Sequence, residues 1–205
     1  MSHKITNQDL RIRRTHKLLH DALLALMSEK ELETITVSEI VDRAMINRAT
    51  FYRHYEDKYH LVRQCVRNVY AELQKDLVPI STYSQKPVID SGLSAGLSLF
   101  KHVANYASFY RVMLGRKEVT GLEQLMITHF EVTVEQRLLA SDYHQMQTII
   151  PLDLFLRFTA TAFLGVVQWW LEHEQPYTVE QMAHWFVQLV TPGASSLLGF
   201  ADKPS

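Results

Sequence analysis

The stretch from Thr36 to Lys58, TVSEIVDRAMINRATFYRHYEDK, constrains the fold of this chain more than any other, because its local signals encode two short helices around a tight turn. Thr36 with Glu39 three residues on is a capping box, in which each side chain satisfies a backbone N–H at a helix start. Ile40, Val41 and Ala44 form the apolar face of that first helix, Met45-Ile46 makes the turn, and Asn47 caps a second helix running to about Tyr55. Within the second helix Phe51 and Tyr55 fall four apart above Ile46 and pack inward, while Arg48, Ala49, Tyr52 and Arg53 share the opposite face. The unit reads as a helix-turn-helix.

Exposed guanidinium groups on a short second helix suit the major groove, where arginine donates two hydrogen bonds to guanine or pairs with a phosphate. Thr50, Tyr52 and His54 suit phosphate or sugar contacts, which position such a helix without reading bases. Asp57 is the N-cap of the next helix and Lys58 lies in its first turn, where amides and a cation can jointly hold a phosphate. The candidate DNA-contacting set is therefore Thr36, Arg48, Ala49, Thr50, Tyr52, Arg53, His54 and Lys58.

The run Thr36-Val37, Ile40, Ala44, Ala49-Thr50-Phe51-Tyr52, Tyr55 and Lys58 resembles the N-terminal domain of TetR/AcrR-type bacterial transcriptional regulators. The resemblance covers about the first sixty residues, together with the overall length and the helical body that follows. It implies a homodimer reading a palindromic operator on double-stranded DNA, repression as the default action, and a C-terminal domain that binds a small-molecule effector. Effector binding would then move the fourth helix and alter the spacing of the two recognition helices. Two positions depart from the pattern: Met45 stands where such proteins have a turn glycine, and Asn47 replaces a serine cap. Asparagine caps as well as serine. Methionine calls for an adjusted turn or a negative φ, because a side chain in the left-handed region carries a steric cost.

Charge agrees with a DNA-facing N-terminus. Lys and Arg outnumber Asp and Glu by three in residues 1–70 and fall short by four in residues 71–205. The surplus is small, so the electrostatic footprint depends on local clustering, which Arg11, Arg13, Arg14 and Lys17 at the start of the first helix supply. The single cysteine, Cys65, excludes an intrachain disulfide and a thiolate zinc cluster and fits a reducing cytoplasm. No signal-peptide pattern opens the chain, and the mainly apolar run Phe158 to Val167, bounded by Arg157 and Gln168, is short for a bilayer. The expected location is cytoplasmic, with no membrane partner.

The rest of the chain lacks strand-like alternation and reads as all-α. A first helix over about 12–27, carrying Ile12, Leu19, Leu23 and Leu26, closes a three-helix core, and a long fourth helix over about 58–77 joins it to the body. A loop spans Pro79 to Pro87, and further helices are expected at about 90–106, 107–115, 119–140, 151–174 and 178–191. The expected domains are a helix-turn-helix DNA-binding domain over 1–58 and a helical effector-binding and dimerisation domain over 59–205. Pro151 to Glu174 is apolar nearly all round and needs cover on most faces. With the helix opening at Thr178 it forms the candidate dimer interface, through Phe163, Val166, Val167, Trp170, Met182, Trp185, Phe186 and Leu189, with Gly165 allowing close approach at the two-fold axis. Phe100, Phe109, Met113, Phe130, Phe155 and Phe158 are the candidate lining of an apolar effector pocket.

Ten histidines prompt a metal reading, and His16 and His20 stand four apart on one helix, but no HExxH arrangement accompanies them. With no Walker loop and no GxGxxG, the chain is expected to be no enzyme and to hold neither cofactor nor metal. Trp169-Trp170 with a preceding glycine and a following Leu-Glu-His is similar to a C-terminal region of regulators related to an activator of dihydroxyacetone metabolism. That similarity implies an alternative, a protein-partnered coactivator or adaptor whose C-terminal helices bind another protein rather than a small ligand.

Overall fold

Side-chain caps at Thr36, Asn47, Asp57 and Thr178 start four helices at the predicted places in the computed structural model, which describes residues 7–77, 88–115, 122–139 and 150–197. Among the described residues there are nine α-helices and no strands: α1 Asn7–Glu29, α2 Val37–Ala44, α3 Arg48–His54, α4 Lys58–Asp76, α5 Val88–Asn105, α6 Ala107–Gly115, α7 Leu122–Leu139, α8 Leu152–Glu172 and α9 Val179–Leu197. The expected loop from Pro79 to Pro87 lies outside the described residues. The chain divides into two compact units, Met1–Val69 and Tyr70–Ser205, so the division falls inside α4 and not at its start.

In the first unit α1 packs on α2, and a short 3-10 turn at Leu32–Thr34 joins them. Leu19, Leu23, Met27, Leu32, Ile35, Ile40, Phe51 and Leu61 are almost fully buried in the core. Each such side chain contributes about 1.5–3 kcal/mol by leaving water. Ile12, expected in this core, is instead exposed near the start of α1. Cys65 is buried here as an apolar residue, and burial pushes its thiol pKa up to about 12.

In the second unit α9 runs against α5, and α6 and α7 pack on α8. Gly96 sets the α5–α9 approach: a Cβ there would stand 3.1 Å from Val187 Cγ2. The centre is an aromatic cluster in which the Phe163 ring lies 5.4 Å from Phe100, 5.0 Å from Phe130 and 5.5 Å from Phe186, with Trp170 5.7 Å from Phe100. Such edge-on and offset pairs add about 0.5–1.5 kcal/mol each beyond area burial. Tyr70 Oη donates to the Met126 carbonyl at 3.0 Å, fixing the end of α4 to α7.

The α8–α9 turn is closed by Gln175 N–H on the Trp170 carbonyl at 2.8 Å and by Trp170 Nε1–H on the Tyr177 carbonyl at 3.0 Å. Thr178 and Gln181 then cap α9 reciprocally, as the capping-box spacing predicts. That helix continues to Leu197, past Pro192, so the proline removes one backbone donor without ending the helix. By length and composition α8 is long and apolar enough to cross a membrane, longer than the sequence run suggests. One face of it, carrying Leu156, Ala160, Phe163, Leu164, Val167, Trp170 and Leu171, is buried inside the unit.

Candidate nucleic-acid interface

The first helix of the motif is held at its start by a complete capping box. Glu39 N–H donates to Thr36 Oγ1 at 3.3 Å, and Thr36 N–H donates to Glu39 Oε2 at 2.9 Å. The Lys30 ammonium also bonds the Glu39 carboxylate and, ahead of Thr36, holds its pKa down at about 2. Thr36 Oγ1 donates to Glu39 Oε2 at 2.9 Å, so its hydroxyl is committed to the cap rather than offered to a phosphate.

At the other end α2 closes in a Schellman motif, with Ile46 N–H on the Val41 carbonyl at 2.9 Å and Met45 N–H on the Asp42 carbonyl at 3.1 Å. That motif needs a left-handed residue, and Met45 supplies it at φ 53° and ψ 45°. The expected escape to negative φ does not occur, because only the left-handed geometry reverses the chain here while satisfying both carbonyls. Methionine in place of glycine costs roughly 1 kcal/mol. Its side chain is 90% exposed.

Asn47 Oδ1 accepts the Ala49 N–H at 2.7 Å and starts α3. Phe51 and Tyr55 are buried and Ile46 is half-buried, which leaves Arg48, Ala49, Tyr52 and Arg53 exposed, with Thr50 and His54 at the margins. Arg48 is pre-set on this face: its guanidinium lies 5.6 Å from the Tyr52 ring centre and Nη2 donates to Tyr52 Oη at 3.4 Å. Stacking restrains a long side chain before it meets a ligand. Arg11, Arg13, Arg14 and Lys17 are exposed on α1 and form no ion pair among the described residues. Arg43 instead clamps α2 to α1 through two bonds to Glu29, at 2.8 and 2.9 Å.

Lys58 corrects the expected phosphate contact. Its Nζ donates to the carbonyls of Leu32, Glu33 and Ile35 at 2.7, 2.7 and 2.8 Å, and an ammonium has only three N–H groups. Lys58 therefore ties α4 to the 3-10 turn. Asp57 does cap α4, accepting the His60 N–H at 2.6 Å.

Behind the exposed face lies a cluster that the sequence lists only as scattered histidines. The Tyr55 hydroxyl bridges His16 Nδ1 and His20 Nε2, the latter at 3.3 Å. His54 stands 4.8 Å from the His16 ring and His60 5.6 Å from the Tyr55 ring. Burial, then His16, pushes the His20 pKa down to about 4, and burial, then His54, lowers that of His16. Near neutral pH both rings are uncharged bridging partners, not cations for DNA.

The C-terminal candidates separate by burial. Phe163, Val167, Trp170, Met182 and Phe186, expected at a dimer seam, are buried inside the unit and have no surface to offer. Trp185 and Leu189 are exposed and Val166 is half-buried. The open faces are those of Leu154, Phe158, Gly165 and Trp169 on α8 and of Trp185 and Leu189 on α9. Of the expected pocket lining, Phe100, Phe109, Met113 and Phe130 are buried inside the unit, Phe155 is half-buried and Phe158 is 59% exposed. A cleft of about 200 Å³ lies between Tyr110, Arg111 and Leu114 of α6 and Gln168 and Glu172 of α8. Gly92-Leu93-Ser94-Ala95-Gly96 spells the G-x-S-x-G string of hydrolase nucleophiles. It sits inside α5, without the strand-to-helix turn that exposes a nucleophile.

A capped helix-turn-helix with an exposed arginine pair, followed by a helical body, defines the class of helix-turn-helix DNA-binding proteins. Residues 19–65 match the profile of bacterial regulatory proteins of the tetR family, and residues 93–192 match a transcriptional regulator C-terminal region of the same family. The chain belongs to the TetR family of transcriptional regulators, which are not enzymes. It is similar to the uncharacterized HTH-type transcriptional regulator YxbF of Bacillus subtilis (strain 168), 22% identical over 83% of this chain and 43% of that protein. It spans about half the length of the curated relatives it matches, 43%, 48% and 50% of them. Among solved structures, the dihydroxyacetone kinase operon activator DhaS superposes with a TM-score of 0.59 at 18% identity, over 89% of this chain and 97% of that one. The regulator FadR of Bacillus subtilis, in complex with stearoyl-CoA, superposes with a TM-score of 0.63 at 13% identity, over 87% and 98%. Identities this low establish a shared fold.

Proposed function

We propose that this chain is an operator-binding regulator that acts as a homodimer on palindromic double-stranded DNA, with repression as its default and a small-molecule effector as its signal. The observation that carries the reading is the exposed face of α3, where Arg48, restrained by Tyr52, and Arg53 stand over a buried Phe51–Tyr55 anchor. Restrained arginines read guanine through paired hydrogen bonds, and Thr50 and Tyr52 hold neighbouring phosphates.

Dimerisation is supported by the unpartnered apolar faces of α8 and α9. Leu154, Phe158 and Trp169 form a row of exposed apolar side chains along α8, and Trp185 and Leu189 are exposed on α9. Gly165 lies within that row with nothing within 4 Å of where its Cβ would be, leaving room for a second helix. A two-fold pair would set recognition helices about one DNA turn, roughly 34 Å, apart. The effector part of the reading is supported by the stearoyl-CoA complex of a protein of this fold. A cytoplasmic site of action follows from the DNA target.

Selection of bound duplexes from random DNA tests the whole reading. Enrichment of a palindrome with half-sites one helical turn apart is the expected result. If no duplex is enriched at low salt while the protein is folded, the operator reading fails and the adaptor reading replaces it, with Trp169, Tyr177 and Trp185 as its exposed aromatic surface.

A further inference from the structure

We infer that Met45 is a specificity-determining residue that packs against the C5-methyl group of a thymine in the major groove, an inference that rests on the operator reading above. Met45 combines a left-handed backbone, which the closure of α2 requires, with an apolar side chain that nothing within the unit covers. It takes the left-handed conformation that favours glycine, and it is the most exposed of the large apolar side chains among the described residues, at 90%. Glu174 and Gln175, the other two described residues with positive φ besides glycine, put their side chains on Arg111, at 3.4 and 3.5 Å. The Met45 side chain stands in solvent instead.

The closure of α2 explains the left-handed backbone but not an exposed methionine where the family pattern has glycine. The location supplies the partner. Met45 precedes the Asn47 cap by two residues and Arg48 by three, so it lies at the leading end of α3, the end of a recognition helix that meets base edges. In the major groove the one apolar group that a base presents is the thymine methyl. A flexible, polarizable thioether chain suits a contact of that kind. The family pattern has glycine here, so the contact belongs to this chain rather than to the motif.

Replacing thymine by deoxyuridine removes the methyl and keeps every hydrogen bond, so binding to a uracil-scanned operator tests the contact directly. At one thymine per half-site the change should weaken wild-type binding roughly fourfold, the worth of one buried methyl. Met45→Ala, which keeps the strained backbone and deletes the reach, should bind both forms alike, and Met45→Leu should restore the discrimination. The inference is overturned if the enriched operator has no uracil-sensitive thymine, or if Met45→Ala keeps the wild-type sensitivity. A wild-type protein that enriches no duplex at all removes the operator reading and this inference together, whereas either preceding result removes the methyl contact alone.

Discussion

The two units use side chains of the same chemical types in opposite ways. In the first, motifs of three or four residues fix which side chains face outward: Thr36 and Glu39 cap α2, Asn47 caps α3, and the exposed set on α3 follows from two short registers. In the second, apolar residues occur nearly all round α8, and only packing against α6, α7 and α9 decides which of them are inside. Phe163 and Phe158 lie five residues apart on that helix, yet one is fully buried and the other is 59% exposed. A surface built from local rules can be read one residue at a time, whereas a surface left over after packing is known only once the core is known.

The sharpest way to break this contrast is to mutate both phenylalanines. Phe163→Ala should cost about 3–5 kcal/mol of stability in thermal or denaturant unfolding, because it empties the centre of the aromatic cluster. Phe158→Ser should leave the unfolding of the isolated protomer within about 0.5 kcal/mol and act on association instead, read by sedimentation. Equal losses of stability would dissolve the distinction between core and open face.

Acid should separate the units next. The His20 pKa in the folded state, about 4, is below its ordinary 6.5, so the folded form binds fewer protons than the unfolded one. Its penalty is absent above about pH 6.5 and grows as pH falls toward 4, to about 3 kcal/mol in the first unit. His16, whose pKa burial and then His54 lower, adds to the same limb. His20→Gln should flatten the decline in a pH series of unfolding curves; an unchanged acid limb would discard the assignment.

Lys58→Met should destabilise the first unit by roughly 1.5–3 kcal/mol, since three carbonyls lose a charged donor. The salt dependence of DNA binding should keep its slope. A slope reduced by about one would mean that Lys58 leaves those carbonyls for a phosphate. Smallest in size is a gain: Met45→Gly should raise stability by about 1 kcal/mol, the release of left-handed strain. No gain in the unfolding midpoint would show that the turn relaxes at no cost.

These expectations also mark how far the chain could be read before its structure. The helix order, both capping boxes and the outward face of α3 were legible because each depends on residues three or four apart. Lys58 was misplaced because its acceptors, at positions 32, 33 and 35, lie more than twenty residues back. The histidine–tyrosine cluster joins α1, α3 and α4 and has no linear signature. The dimer set mixed buried with exposed residues because a helix apolar on nearly all sides has no preferred register, so periodicity cannot separate Trp170 from its exposed neighbour Trp169.

The placement of the tryptophans gives the molecule a built-in optical asymmetry. All three, Trp169, Trp170 and Trp185, belong to the second unit, one sealed in its core and two open to solvent. Indole emission is therefore blind to local events around the recognition helix and reports on the helical body alone. The two solvent-facing rings should shift toward the blue when α8 and α9 are covered, while Trp170 stays blue throughout. Only three of the nine tyrosines, Tyr52, Tyr55 and Tyr59, lie in the first unit, so a tryptophan introduced there is what would let the DNA-facing half be followed separately.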